Sequence, residues 1–263
     1  DGLWLTGNQV QVPAGDLGAL TLRHCTLVPG WALKPDGSPT DPGQPSMSVA
    51  TGNGRLQVTL ERSIAGKLQL AAAQSLAVRD SIIAAKGDVA IAGPTVTVER
   101  STVLGSVTAR KVALASDSIF TGVVAADRTQ EGCVRFSYLP QGSAVPRRFR
   151  CQPGLAIRQA EEAASARGGS LTSDEGQAIA TRMQPVFTSD EYGTPEFCLL
   201  HPRGPREISA GADSGLEMGA FHHLTKPQRE ANLRASLDEY LRAGLETGIF
   251  CADQIDSRPK DQP

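Results

Sequence analysis

Four titratable side chains fall within one short stretch, GADSGLEMGAFHHL, which carries Asp213, Glu217, His222 and His223. Two imidazoles and two carboxylates are a donor set for a metal ion. The spacing argues against one, because neighbouring histidines on an extended chain point to opposite sides and the HExxH pattern is absent. Histidines satisfied by local hydrogen bonds, with no metal and no cofactor, are what the pattern supports. A second cluster, PQGSAVPRRFRCQPG, sets Arg147, Arg148 and Arg150 around Phe149. Guanidinium groups at that density either receive an acidic partner or brace a junction through ion pairs and stem packing. Trp31 stands in a loop rich in proline and glycine, either as an exposed anchor or as a ring tucked over the wall of the fold.

Other residues with reactive names belong to the architecture. Ser63, Ser81, Ser101 and Ser118 recur at spacings of 18, 20 and 17 residues (81−63, 101−81 and 118−101), with Cys25 before them and Ser137 after. None has a nearby histidine and acid to activate it, so they read as corner residues whose small hydroxyls bond local backbone. The five cysteines, Cys25, Cys133, Cys151, Cys198 and Cys251, are scattered and show no zinc spacing. Reduced, buried thiols are the expectation, which suits a cytoplasmic protein. Cys133 and Cys151 lie one period apart (151−133=18), which puts them within disulfide distance on adjacent coils if the repeat runs that far.

The serines sit in a recurring phrase: VTLERSIAG, LAVRDSIIA, VTVERSTVLG and ALASDSIFTG, flanked by LTLRHCTLVPG and CVRFSYLP. A period this short and this rich in alternating, β-branched residues predicts one coil of strands per repeat, stacked as a parallel β-helix. Equivalent positions then form columns about 4.8 Å apart from coil to coil. The inward column is Leu22, Leu60, Val78, Val98, Ala115 and Val134. Beside it run Arg23, Glu61, Arg79, Glu99, Ser116, Arg135 and His24, Arg62, Asp80, Arg100, Asp117, Phe136, whose alternating signs in the central coils support the register.

Around this repeat the organisation follows. Residues 1–18 lead in, with Trp4 expected to cover the open end of the stack. Residues 30–54 form an inserted loop with SMSVA as its strand, and the solenoid spans 1–139. Residues 140–263 read as a mixed α/β cap packed on it, with helices from Leu155 to Arg167 and from Ser173 to Met183 and a strand–turn–strand over 185–200. A last helix opens with the capping box Thr225-Lys226-Pro227-Gln228 and carries an apolar stripe at Leu233, Leu237, Tyr240, Leu241 and Leu245, with Arg242 on its polar face; Gly244 and Gly248 close it before a short strand, Ile249 to Ala252.

Phrases such as SDSIFTG, RRFRCQP, PVFTSDEYGTPEF and GLEMGAFHHLTKPQREANLRASLDEYLRAGLETGIF resemble the C-terminal region of large bacterial proteins described as right-handed β-helix proteins, some of them associated with phage-tail-like contractile injection systems. The resemblance implies a mainly β fold, a right-handed parallel β-helix, and brings no catalytic residues. With 263 residues, 40% hydrophobic, 21% charged and a net charge of −2, the chain shows no basic field for nucleic acid, no membrane span and no signal peptide. It begins at Asp1 without methionine, as a processed chain or a piece of something longer. The expected role is a structural or binding module whose partners are proteins or copies of itself, in the cytoplasm or in a secreted or injected assembly. The alternative is a carbohydrate-active β-helix enzyme, which needs unpaired carboxylates beside an exposed aromatic in one groove.

Overall fold

The alternating phrases do coil, about seven times, into stacked parallel strands. The computed structural model describes residues 1–35 and 37–241. It divides into two compact units, Asp1–Pro227 and Gln228–Pro263, and the solenoid lies in the first. Each coil contributes to three parallel ladders. The first stacks Ala19–Arg23, Gln57–Glu61, Ser75–Arg79, 95–99, 112–116, Cys133–Arg135 and Arg147–Phe149. The second stacks Trp4–Leu5, Thr26–Leu27, Ile64–Ala65, 82–83, 102–103 and Ile119–Phe120, and Tyr138 bridges onward. The third runs from Val10–Val12 through Met47–Val49 and Leu68–Gln69 to 91–92, 107–109 and Val124–Arg128.

Register and core agree with the sequence columns. Leu22, Leu60, Val78, Val98, Ala115 and Val134 are buried and follow one another through the first ladder. They join Leu27, Ile83, Val103, Phe120 and Leu139 in one continuous core. The adjacent column forms alternate ion pairs, Arg23 with Glu61 at 3.0 Å and Arg79 with Glu99 at 3.2 Å. In the next column Arg100 grips both oxygens of Asp80, at 2.7 and 3.1 Å.

The corner between the first two ladders explains the serines. At each corner the residue before the serine lies in the left-handed region: His24, Arg62, Asp80, Arg100, Asp117, Phe136 and Arg150, with φ from 45 to 53°. That reversal turns two successive N–H groups toward the next coil. The first finds a carbonyl there, as Asp80 N–H does on Glu99. The second has none within reach, and the serine hydroxyl of the next coil supplies the acceptor. Ser63 N–H donates to Ser81 Oγ at 3.0 Å, Ser81 N–H to Ser101 Oγ at 3.2 Å, Ser101 N–H to Ser118 Oγ at 3.2 Å and Ser118 N–H to Ser137 Oγ at 3.1 Å. Each hydroxyl donates in turn to the carbonyl two residues before it. Cys25 and Cys151 take the same position at the two ends, each thiol donating to its own i−2 carbonyl.

Three expectations about the solenoid need correction. The stack runs past Leu139, since Arg147–Phe149 pairs with Cys133–Arg135 and the corner recurs at Arg150-Cys151 after only 14 residues (151−137). Cys133 therefore lies opposite Arg147 and not Cys151, and both thiols are free. Trp4 does not cover the end of the stack; it is 71% exposed on the outer side, while Leu5 packs toward the core.

After the last coil come α1 (Gly154–Ala166) and α2 (Ser173–Arg182). The second is capped by Thr172, whose hydroxyl accepts from Glu175 N–H while the Glu175 carboxylate accepts from Thr172 N–H. Residues 185–200 form isolated bridges, Phe187 with Leu200 and Ser189 with Phe197, where two strands are expected. After α3 (Arg206–Ser209) and a 3-10 turn at His222–Leu224, α4 (Lys226–Tyr240) leads into the second unit. Thr225 lies at φ 50° and closes the 3-10 turn, not in the extended conformation of a helix N-cap. The expected features at Arg242, Gly244, Leu245, Gly248 and 249–252 lie outside the described residues.

The corner yields a stability prediction. Ser101→Ala leaves the buried Ser81 N–H without its acceptor and is expected to cost about 1–3 kcal/mol, whereas Ser101→Cys costs less, since cysteine fills this position in the end coils. Urea unfolding of both variants checks it; equal losses would mean that side-chain volume, not the hydrogen bond, matters at the corner.

Candidate functional site

The residues singled out in the sequence fall in three separate places. Trp31 sits in the second coil's inserted loop, half-buried, with its indole N–H donating to the Pro45 carbonyl at 3.0 Å and its own carbonyl accepting from Thr6 Oγ1 at 2.8 Å. It is a ring that ties the loop down. Gly30, at φ 64°, makes the fold of that loop possible, because a Cβ there would come within 2.6 Å of Pro39.

The arginines form the seventh coil. Arg148 takes the register of the inward column, opposite Val134, and its guanidinium donates to the Ser143 carbonyl. A long stem ending in a hydrated charge is a fitting last member of an apolar column. Arg150 stacks over Phe136 and Phe149, 6.0 and 5.7 Å from the ring centroids, and the two rings meet edge to face at 5.5 Å. Arg147 and Phe149 are exposed, and among the described residues the strand that carries them is paired on one side only, with Cys133–Arg135. No salt bridge engages Arg147, Arg148 or Arg150 among the described residues.

Asp213, Glu217, His222 and His223 lie on a segment that folds along the flank of the solenoid. Phe197, Cys198 and Ala220 pack against Ile82 and Leu104, and Leu200, Ile208, Ala212 and Met218 against Ile119 and Tyr138. Hydrogen bonds fix its register: Ala220 N–H to Thr102 Oγ1 at 3.1 Å, Gly219 N–H to the Asp117 carbonyl at 2.8 Å, and Asp213 N–H to the Asp117 carboxylate at 2.7 Å. Gly219, at φ 94°, is required there, since a Cβ would lie 2.6 Å from Thr102 Oγ1.

The four predicted side chains do not converge on one point. Asp213 is exposed, and it is its backbone that does the bonding. His223 Nδ1 faces the Ala220 carbonyl at 3.2 Å. His222 Nδ1 faces the Glu217 carbonyl at 2.9 Å, and its other nitrogen lies 3.3 Å from Ser214 Oγ. Local hydrogen bonds thus satisfy both histidines, and no group of three or more metal-ligating side chains occurs among the described residues. Ser214 was not singled out in the sequence; the signal was a hydroxyl eight positions before a histidine, across glycine-rich turns. A shallow cleft of about 570 Å³ opens at 181–191, and none of these residues lines it.

Glu217 is the electrostatic outlier. Its side chain is buried, 2% exposed for the residue as a whole; Oε1 has no hydrogen-bond partner, and Oε2 lies 3.4 Å from Lys226 Nζ. Burial pushes its carboxyl above the usual range, and Lys226 offsets only part of that rise. The coil carboxylates are better matched: Glu61, Asp80, Asp88, Glu99 and Glu131 each sit in an ion pair. The Cys198 thiol is pushed up by burial and is chemically quiet.

No protein-family model, no curated protein and no solved structure matches this chain.

A carboxyl raised in the folded state favours folding below its unfolded value, and that contribution is lost as pH rises through its folded value. Glu217→Gln is therefore expected to melt close to the parent at acid pH and above it at pH 8. Thermal melts between pH 5 and 8 test this; a constant difference across the range would show that Glu217 carries no burial penalty.

Proposed function

We propose that the chain is a structural or protein-binding module, and that the open strand of the seventh coil is its recognition edge. The observation that carries this reading is the strand Arg147–Phe149, which among the described residues is hydrogen-bonded along one edge only and is exposed at all three positions. Its free main-chain groups can receive an extended segment as an eighth strand, a mode of association in which backbone bonds give affinity and flanking side chains give selectivity. Arg147 and Arg150 select for acidic residues, and the exposed Phe149 adds an apolar contact. Charge on the same edge discourages pairing with a like copy, so an acidic partner is favoured over self-association. The ion pairs that hold Glu61, Asp80, Asp88, Glu99 and Glu131 support a module over a carbohydrate-active enzyme, whose chemistry needs free acids. The sequence resemblance alone makes a bacterial phage-tail-like assembly the setting in which to look first.

A fluorescent, extended peptide alternating Glu and Val is the direct probe. Anisotropy titrations are expected to show salt-sensitive binding that weakens about tenfold, or ~1.4 kcal/mol, in Arg147→Glu, a change at an exposed site. Affinity unchanged by that substitution would remove the edge from consideration.

A further inference from the structure

Ser214 and His222 meet side chain to side chain, with Ser214 Oγ 3.3 Å from His222 Nε2. Ser214 stands at the tip of a tight turn, closed by the Gly215 N–H to the Ala212 carbonyl at 2.9 Å, with Gly215 at φ 73°. That turn presents the serine to solvent. The turn is anchored from below by the Asp117 carboxylate on Asp213 N–H, so Ser214 is held on the rigid solenoid and not on a loose tip. On the other side, His222 belongs to the 3-10 turn His222–Leu224.

The tautomer follows from the partners. A carbonyl oxygen only accepts, so the 2.9 Å contact of His222 Nδ1 with the Glu217 carbonyl requires the proton on Nδ1. In the neutral ring Nε2 is then a bare lone pair, and it is this nitrogen that lies 3.3 Å from Ser214 Oγ. Ser214 therefore donates to Nε2, with the imidazole oriented by a third group. The distance is at the loose end of hydrogen bonding, as is common for a nucleophile and base without substrate. Ser214 N–H donates to no protein acceptor among the described residues, which leaves it able to meet an oxyanion.

We propose that Ser214 is a base-assisted nucleophile toward small carboxylic esters, an activity beyond the binding role above and independent of it. Ser214 Oγ attacks the ester carbonyl carbon while its proton passes to His222 Nε2. The bond to the alcohol oxygen breaks, and the departing alcohol takes that proton. Water then repeats the sequence on the acyl-serine, releasing the acid and restoring the hydroxyl. The exposed position suits a small acyl group that needs no deep pocket.

The test uses the full chain with an alkyl fluorophosphonate, which phosphonylates activated serines as fluoride leaves. Peptide mapping by mass spectrometry is expected to place the adduct on Ser214. Ser214→Ala abolishes it, and His222→Gln slows it at least a hundredfold, the scale of general-base assistance. Thermal melts of both variants establish that they fold; if His222→Gln does not, His222→Ala replaces it. p-Nitrophenyl acetate hydrolysis is expected to fall in parallel. Absence of an adduct at Ser214, or an adduct that forms at the same rate without His222, would overturn the proposal.

Discussion

A single hydrogen bond, repeated at each corner, sets the conditions for everything else in this fold. The left-handed residue that bends the chain costs an L-amino acid roughly 1–2 kcal/mol, and it leaves one main-chain N–H per coil aimed at the next coil with no carbonyl opposite. The serine hydroxyl of the next coil meets that N–H and gives its own proton to the carbonyl two residues before it. The corner thus fixes both the angle between ladders and the vertical register of the columns. Once it is fixed, the inward valines and leucines align without further instruction, and so do the ion pairs outside them.

Much of this was legible because each corner repeats the same constraint. The inward column and the alternating charges could be read residue by residue from Leu22 to Val134. The seventh coil was harder, because it is shorter and replaces the apolar inward residue with Arg148 and the serine with Cys151. An arginine at a core register only makes sense once it is seen to be the last coil. The flank told a similar story. Ile82, Ile119 and Tyr138 follow the corner residue and point outward, yet they are buried. Apolar residues on both sides of one ladder announce a covering segment, but nothing local says which one. The cover comes from about a hundred residues downstream, held by Thr102 and Asp117.

The same long-range docking hid the relation between Ser214 and His222. Their juxtaposition depends on two turns, one at Gly215 and one at His222, and each is shaped by its seat on the solenoid wall. Both histidines bond local carbonyls, His222 that of Glu217 and His223 that of Ala220. Rigid repetition and the proposed chemistry are divided between two kinds of sequence here: periodic coils, in which Glu61, Asp80, Asp88, Glu99 and Glu131 are ion-paired, and an irregular flank that holds Glu217, Ser214 and His222.

That flanking segment also has a mechanical meaning. Its apolar contacts run from Ile64 in the third coil to Tyr138 in the seventh, across the joints between coils. These clusters include no residue of the first two coils, where Leu33 of the inserted loop lies against Gly193 of the segment, and Trp4, which stands in the same outward column, is bare. Tension along the stack would load the coil-to-coil bonds one layer at a time in the first two coils but in parallel with a cross-brace in the last five. The molecule is built stiffer at one end than at the other, and it should peel from the Trp4 end.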